Sequence, residues 1–149
     1  MMASKESFDL ERFVPFLVNR VSARIASDFV RQSRQKGIRY RMWRVLLALW
    51  HYGEMRPIDI SQRTNIEIST LSRILVQMNS TGLIEKKKAN KESRGQTIAK
   101  LAGKGAACVD DLLPLYQRTE EAALVGLSEG ERMILVEILT KMFINLSDK

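Results

Sequence analysis

Apolar residues recur every four positions from Phe13 through Leu17, Val21 and Ile25 to Phe29, with Val14 and Val18 alongside. That spacing lays one stripe along an α-helix. Pro15 is tolerated only in a first turn, so the helix begins near Val14, and Gly37 offers a C-terminal stop. A second helix is predicted from about Tyr40 to Tyr52. Its residues Met42, Trp43, Val45, Leu46, Leu47, Leu49 and Trp50 leave almost no polar face, so it should be central and buried, ending at Gly53 with His51 as a cap or packing residue. Pro57 opens a third helix with Ile58, Ile60 and Ile66 as its apolar anchors. A fourth starts near Ile68, where Leu71, Ile74, Leu75 and Met78 follow the i, i+3, i+4, i+7 rule, and Gly82 stops it.

The period then changes. Leu83 to Lys88 and Gln96 to Leu101 read as two short strands around a polar loop longer than a tight turn. Two further helices are expected, from about Gly103 to Leu127 and from Ser128 to Leu146. Pro114 falls inside the first and should kink or split it. Ser128-Glu129-Gly130-Glu131 opens the second as a capping box. The expected class is mostly α, with one hairpin, in a single domain of 149 residues.

Charge adds the first hint of function. The chain carries 24 Lys and Arg against 17 Asp and Glu, for a net charge of +7. The excess is not uniform: residues 1–105 hold 20 basic and 9 acidic side chains, while residues 106–149 hold 4 and 8. Arg31, Arg34, Lys36, Arg39, Arg41 and Arg44 follow one another with no intervening acid, and Lys86, Lys87, Lys88, Lys91, Arg94, Lys100 and Lys104 face only Glu85 and Glu92. Such a split places a polyanion-binding face on one part of the molecule. One histidine and one cysteine rule out an ordinary His/Cys zinc site, and the lone Cys108 fits a reducing cytoplasm. The longest apolar run, Val45 to Trp50, is too short to span a bilayer, and residues 1–9 lack the apolar core of a secretory leader. No phosphate-binding loop or nucleophile elbow is present, so neither an enzyme nor a cofactor is expected.

Helix three, a turn and helix four form the informative unit. The outward residues of helix four are Ser69, Thr70, Ser72, Arg73, Val76 and Gln77, and Ile68 to Thr81 contains no acid and no lysine. An ordinary amphipathic surface helix usually carries both. A short polar face suits the major groove, about 12 Å wide. Arg73 can donate two hydrogen bonds to guanine O6 and N7, and Gln77 can read adenine. Ser69, Thr70 and Ser72 are short enough to contact phosphates.

Ile60-Ser61, Asn65-Ile66, Leu71 and Ile74 stand at helix-turn-helix spacings, with Ser61 for the usual small residue and Asn65 for the usual turn glycine. Asn tolerates the left-handed conformation such a turn needs. Together with Trp43-Arg44-Val45-Leu46, Leu49, Leu83-Ile84-Glu85, a basic loop, Leu101 and Gly105, these positions resemble a MarR-type winged-helix regulator. Glu92-Ser93-Arg94 aligns with that family's acidic-x-Arg wing motif, with Glu for Asp, and Leu127-Ser128 with Glu131 resembles the start of its last helix. The resemblance covers Val14 to Leu146; Ala102, where Thr is frequent, and Pro114 depart from it.

The resemblance implies a winged helix-turn-helix over 40–101, a three-helix core plus a β-hairpin wing, with dimerisation helices over 8–37 and 103–146. It implies that Arg94 at the wing tip enters the minor groove, with Lys88 and Lys91 on phosphates. Independently of family, a narrow minor groove attracts arginine. It also implies a homodimer, joined through the stripe of Phe13, Leu17, Val21 and Ile25 and that of Ile134, Ile138, Met142 and Leu146, reading a pseudo-palindromic operator in double-stranded DNA. Regulators of this type lose DNA affinity when a phenolic or anionic effector binds between dimer helices and winged helix. Arg39, Tyr40, Trp43 and Arg44 offer aromatic and cationic surface in that region, though a core Trp with DNA-facing arginines is the equal alternative. The leading expectation is a cytoplasmic, effector-released repressor. A non-specific architectural DNA-binding protein and a redox-sensing regulator acting through Cys108 remain as alternatives.

Overall fold

The computed structural model describes residues 8–89 and 96–147. Helix α1 (Val14–Ser33) starts with proline in its first turn and passes through a 3₁₀ turn to Gly37, which sits at φ 68° and ends it. Helix α2 (Tyr40–Tyr52), α3 (Pro57–Thr64) and α4 (Ile68–Ser80) follow, at the positions the periodicity predicts. Strands β1 (Ile84–Lys88) and β2 (Thr97–Leu101) form an antiparallel hairpin in register Ile84 with Leu101 and Lys88 with Thr97. Each is one residue shorter than its sequence pattern. Met55, between α2 and α3, adds a bridge that the pattern does not disclose: its N–H donates to the Ala99 carbonyl at 3.0 Å and its carbonyl accepts from the Ala99 N–H at 2.9 Å. The chain closes with α5 (Gly103–Ala123) and α6 (Glu129–Ser147).

One core joins these elements. Trp43, Val45, Leu46 and Leu49 of α2 meet Ile60 of α3, Leu71, Leu75 and Met78 of α4, Ile84 and Ala99 of the hairpin, and Val109 and Leu112 of α5. Phe29 is the buried apolar contribution of α1 and stacks on Trp43 with ring centroids 5.1 Å apart. Alternation decides which residues are left out. Ile58, expected as an anchor of α3, lies two residues from buried Ile60, on the other side of the helix, and is 47% exposed. Trp50 and His51 likewise sit on the outer side of α2; Trp50 is 48% exposed, and His51 packs edge-on against Tyr52 in solvent rather than inside.

Helix five also departs from expectation. It ends at Ala123, and Leu124 to Leu127 form the turn into α6, with Gly126 at φ 86°. Pro114 does not split it. Proline removes the N–H that would bond the Asp110 carbonyl, but both residues face solvent, so water can serve that carbonyl. Ala102 caps α5 with no side-chain bond. The capping box of α6 is formed: Ser128 Oγ accepts from the Glu131 N–H at 3.3 Å, and Glu131 Oε2 accepts from the Ser128 N–H at 2.7 Å. Arg132 braces this corner, donating to the carbonyls of Leu124 and Leu127 and to Glu121.

Candidate nucleic-acid interface

The helix-turn-helix is set by three local devices. Asn65 stands at φ 49°, ψ 40°, the left-handed residue of the turn, as its amide side chain allows. Ser61, small enough for α4 to approach, donates its hydroxyl to the Ile66 carbonyl at 2.6 Å. Buried Thr64 donates back to the Ile60 carbonyl at 2.6 Å. Ile66 and Leu71 bury beside Ile60, so the turn is held by packing as well as by hydrogen bonds.

Helix α4 turns Leu71, Leu75 and Met78 inward. Its outward face carries Ser69, Ser72, Arg73, Val76, Gln77 and Ser80, all exposed. The structure therefore brings five of the predicted recognition residues onto one helix, but it alters the reading of two. Glu67, which the sequence reading passes over, is the N-cap of α4. Its carboxylate accepts from the N–H groups of Ser69 at 3.0 Å and Thr70 at 3.1 Å, and from the hydroxyls of both. Those hydrogen bonds, the Ser69 hydroxyl foremost, pull its pKa from 4.5 to about 2, so it stays ionised. Ser69 and Thr70 thus spend their hydroxyls on the cap, and Thr70 is half-buried. Ser72, Arg73 and Gln77 have no side-chain hydrogen bond or ion pair among the described residues. The signal in the sequence was an acid immediately ahead of an apolar-periodic run.

The hairpin is tied to α4. Asn79 Oδ1 accepts from the Lys86 N–H at 3.3 Å, and Lys104 at the start of α5 donates to the Thr81 carbonyl at 2.8 Å. Gly105 explains its own identity: a Cβ there would lie 2.0 Å from the Leu83 carbonyl oxygen. Not all of the basic run is uncompensated. Lys87 pairs with Glu54 at 2.6 Å and Lys100 with Glu85 at 3.1 Å, whereas Lys86 and Lys88 have no carboxylate partner among the described residues. Lys88 is exposed at the end of β1. Lys91 and Arg94, with the Glu92-Ser93-Arg94 motif, lie outside the described residues.

The four residues named for an effector do not form one pocket. Trp43 is fully buried in an aromatic cluster with Phe29, Tyr40 and Tyr116, which supports the core reading of that residue. Arg39 is exposed at the start of α2 and Arg44 half-buried. Tyr40 does reach a cleft: a groove of about 1360 Å³ between α1, α5 and α6, lined by Leu17, Val21 and Ile25 and by Met133 and Ile134, with Tyr40 and Tyr116 among its polar groups. The two phenol oxygens are 3.1 Å apart, and burial together with the Tyr40 hydroxyl pushes the Tyr116 pKa up. Cys108 is half-buried on α5; burial and then Asp111 push its thiol pKa up, which opposes thiolate formation. Among the described residues no group of three potential ligands gathers for a metal, and no helix is long and apolar enough to cross a membrane.

Residues 39–95 match the model of the MarR family. Among curated proteins, the helix-turn-helix transcriptional regulator YdgJ of Bacillus subtilis is 24% identical over 112 residues, 75% of this chain and 68% of that protein. The transcriptional repressor NicR of Pseudomonas putida is 22% identical over 135 residues, 91% of this chain and 85% of its own. Among solved structures, a MarR-family regulator from Listeria monocytogenes in complex with a 26-mer DNA superposes with a TM-score of 0.86 at 18% identity, covering 92% of this chain and 91% of that one. BpsR of Bordetella bronchiseptica, whose DNA binding is regulated by 6-hydroxynicotinic acid, gives a TM-score of 0.78 at 21% identity, over 91% and 97% of the two chains. Such regulators are not enzymes. Residues 39–95 thus carry a match to the MarR family, set in the winged-helix fold, and over most of its length the chain is similar to transcriptional regulators of that type.

Proposed function

We propose that the chain acts as a homodimer that binds a pseudo-palindromic operator through α4 and the wing, represses transcription, and lets go of DNA when a small aromatic or anionic effector binds. The observation that carries the DNA-reading part is the outward face of α4: short, acid-free from Ile68 to Thr81, and presenting Ser72, Arg73 and Gln77 unengaged by the described residues. Arg73 serves guanine, Gln77 adenine, and Lys88 a phosphate, while Lys91 and Arg94 are proposed for the wing on sequence alone.

Two exposed stripes support dimerisation. No residue of α6 is buried, and Ile134, Ile138 and Leu146 are 55%, 50% and 71% exposed. On α1, Phe13, Leu17 and Val21 are 43%, 39% and 55% exposed. Helices this apolar on several sides need a partner to exclude water. A second copy of the chain laid into the α1–α6 groove supplies one, and a two-fold pair would set two α4 helices about 34 Å apart, one turn of DNA. Release by an effector is supported by BpsR, which responds to a hydroxylated aromatic acid, and by the phenols of Tyr40 and Tyr116 at the groove. The raised thiol pKa of Cys108 favours this route over an oxidant switch.

Selection of bound duplexes from a random DNA pool at near-physiological salt tests the reading. A two-fold motif with half-sites one turn apart is expected. Retained DNA with no enriched motif would instead establish the architectural alternative, since phosphate attraction is blind to sequence.

A further inference from the structure

The outward face of α4 contains one residue that its polar neighbours do not explain. Val76 lies one turn beyond Ser72 and Arg73 and one turn before Ser80, so these four side chains share a face opposite Leu71, Leu75 and Met78. It is 59% exposed, more than any other large apolar residue between positions 40 and 101. A β-branched side chain is a poorer helix former than the residues that usually fill exposed helical positions, and in water it gains nothing from packing. Its neighbours on that face, Ser69, Ser72 and Ser80, are small. They leave the isopropyl group standing proud of the helix, one turn along the same face from Arg73.

In the major groove only one base carries an apolar group at its edge. Thymine presents a C5-methyl, whereas guanine, adenine and cytosine present donors and acceptors. We propose that Val76 is a specificity-determining residue that packs on a thymine methyl at a base pair adjacent to the one bonded by Arg73. The assignment rests on the reading of α4 as the recognition helix. Half-sites then carry a guanine and a neighbouring thymine, and Val76 rejects cytosine there because the cytosine amino group would lose water against hydrocarbon without gaining an acceptor. An isolated surface valine in a helix facing water would have no such consequence.

Replacement of thymine by deoxyuridine tests this directly, because it removes the methyl and leaves pairing and every hydrogen-bonding edge unchanged. With the operator from the pool selection, each thymine of a half-site is exchanged in turn and affinity is measured for the parent protein and for Val76→Ala. The parent should lose about three- to fivefold at one thymine, next to the base whose preference Arg73→Ala relaxes, which is the effect of one methyl group taken out of contact. Val76→Ala should bind the thymine and uracil duplexes alike at that position while discriminating normally at the others. Val76 is exposed, so the variant should melt with the parent, and the parent arm of the experiment needs no variant at all. Equal binding of every uracil duplex by the parent, a half-site with no thymine beside the Arg73 base, or a Val76→Ala variant that still discriminates would each overturn the assignment while leaving α4 as the reading helix. A pool that yields no motif would overturn both.

Discussion

Gly105→Ala sets two physical effects of opposite sign against each other. On helix propensity alone, alanine inside α5 should stabilise the protein by about 1 kcal/mol. Geometry opposes this. The new Cβ would stand 2.0 Å from the Leu83 carbonyl oxygen and 3.1 Å from Leu101 Cδ2. A carbon normally keeps about 3.3 Å from such an oxygen, so α5 and the start of the hairpin must part by roughly 1.3 Å. That carbonyl also accepts from the Ala102 N–H at 3.1 Å, a hydrogen bond worth about 1 kcal/mol that the separation stretches. Overpacking of this kind costs about 1–3 kcal/mol. With the bond included and the propensity gain subtracted, a net loss of about 1–3 kcal/mol is expected, or a melting temperature lower by about 3–10 °C for a chain of this size. Thermal unfolding followed by circular dichroism, at fixed protein concentration, measures it. Gly103→Ala, where a Cβ meets nothing within 4 Å, is the matched control and should not fall. A Gly105→Ala variant melting at or above the parent would show that the joint between hairpin and α5 yields freely, and the reasoning would be wrong.

Arg73→Ala should relax base preference at one position per half-site by about 1–3 kcal/mol, whereas Lys88→Ala should weaken all sequences evenly and make the salt dependence shallower; competition binding against single-base variants at several salt concentrations separates them. Ile138→Asp, which places a charge in an apolar stripe of α6, should convert the proposed dimer to monomer in analytical ultracentrifugation with its helical content kept, and an unchanged sedimentation coefficient would remove α6 from the proposed interface. Glu67 has a folded pKa of about 2 against an ordinary 4.5, so its contribution to stability is fully present above pH 4.5 and fades as pH falls toward 2. Glu67→Gln should therefore unfold more easily than the parent at pH 7 and approach it in strong acid; a stability gap that stays constant across that range would mean the capping charge is not what matters.

Much of this protein is legible in its order of residues, for reasons that are local. Periods of 3.6 and 2, prolines that fit only a first turn and glycines at helix ends depend on a few consecutive residues, so α1 to α4, the hairpin and the α6 cap emerge from the sequence near their observed bounds. The polar outward face of α4 is legible on the same ground, because one helix places Ser72, Arg73 and Gln77 together whatever surrounds it. Pro114 misleads because the damage a proline does depends on whether the orphaned carbonyl meets water, which only packing decides. Ile58, Trp50 and Trp43 are equally apolar in sequence, yet two stand in solvent and one lies at the centre of the core, since the direction of each side chain relative to neighbouring elements is a tertiary fact. The same holds for the effector candidates: Arg39, Tyr40, Trp43 and Arg44 are neighbours along the chain, but one helical turn sends them to different surroundings, and Tyr40 finds its partner in Tyr116, 76 positions away. The sequence by itself determined the elements and the polar face of α4. The tertiary structure decided that Gly105 must lack a side chain and that α6 is left with an apolar surface, because each depends on what distant parts of the chain bring, or fail to bring, to the same place.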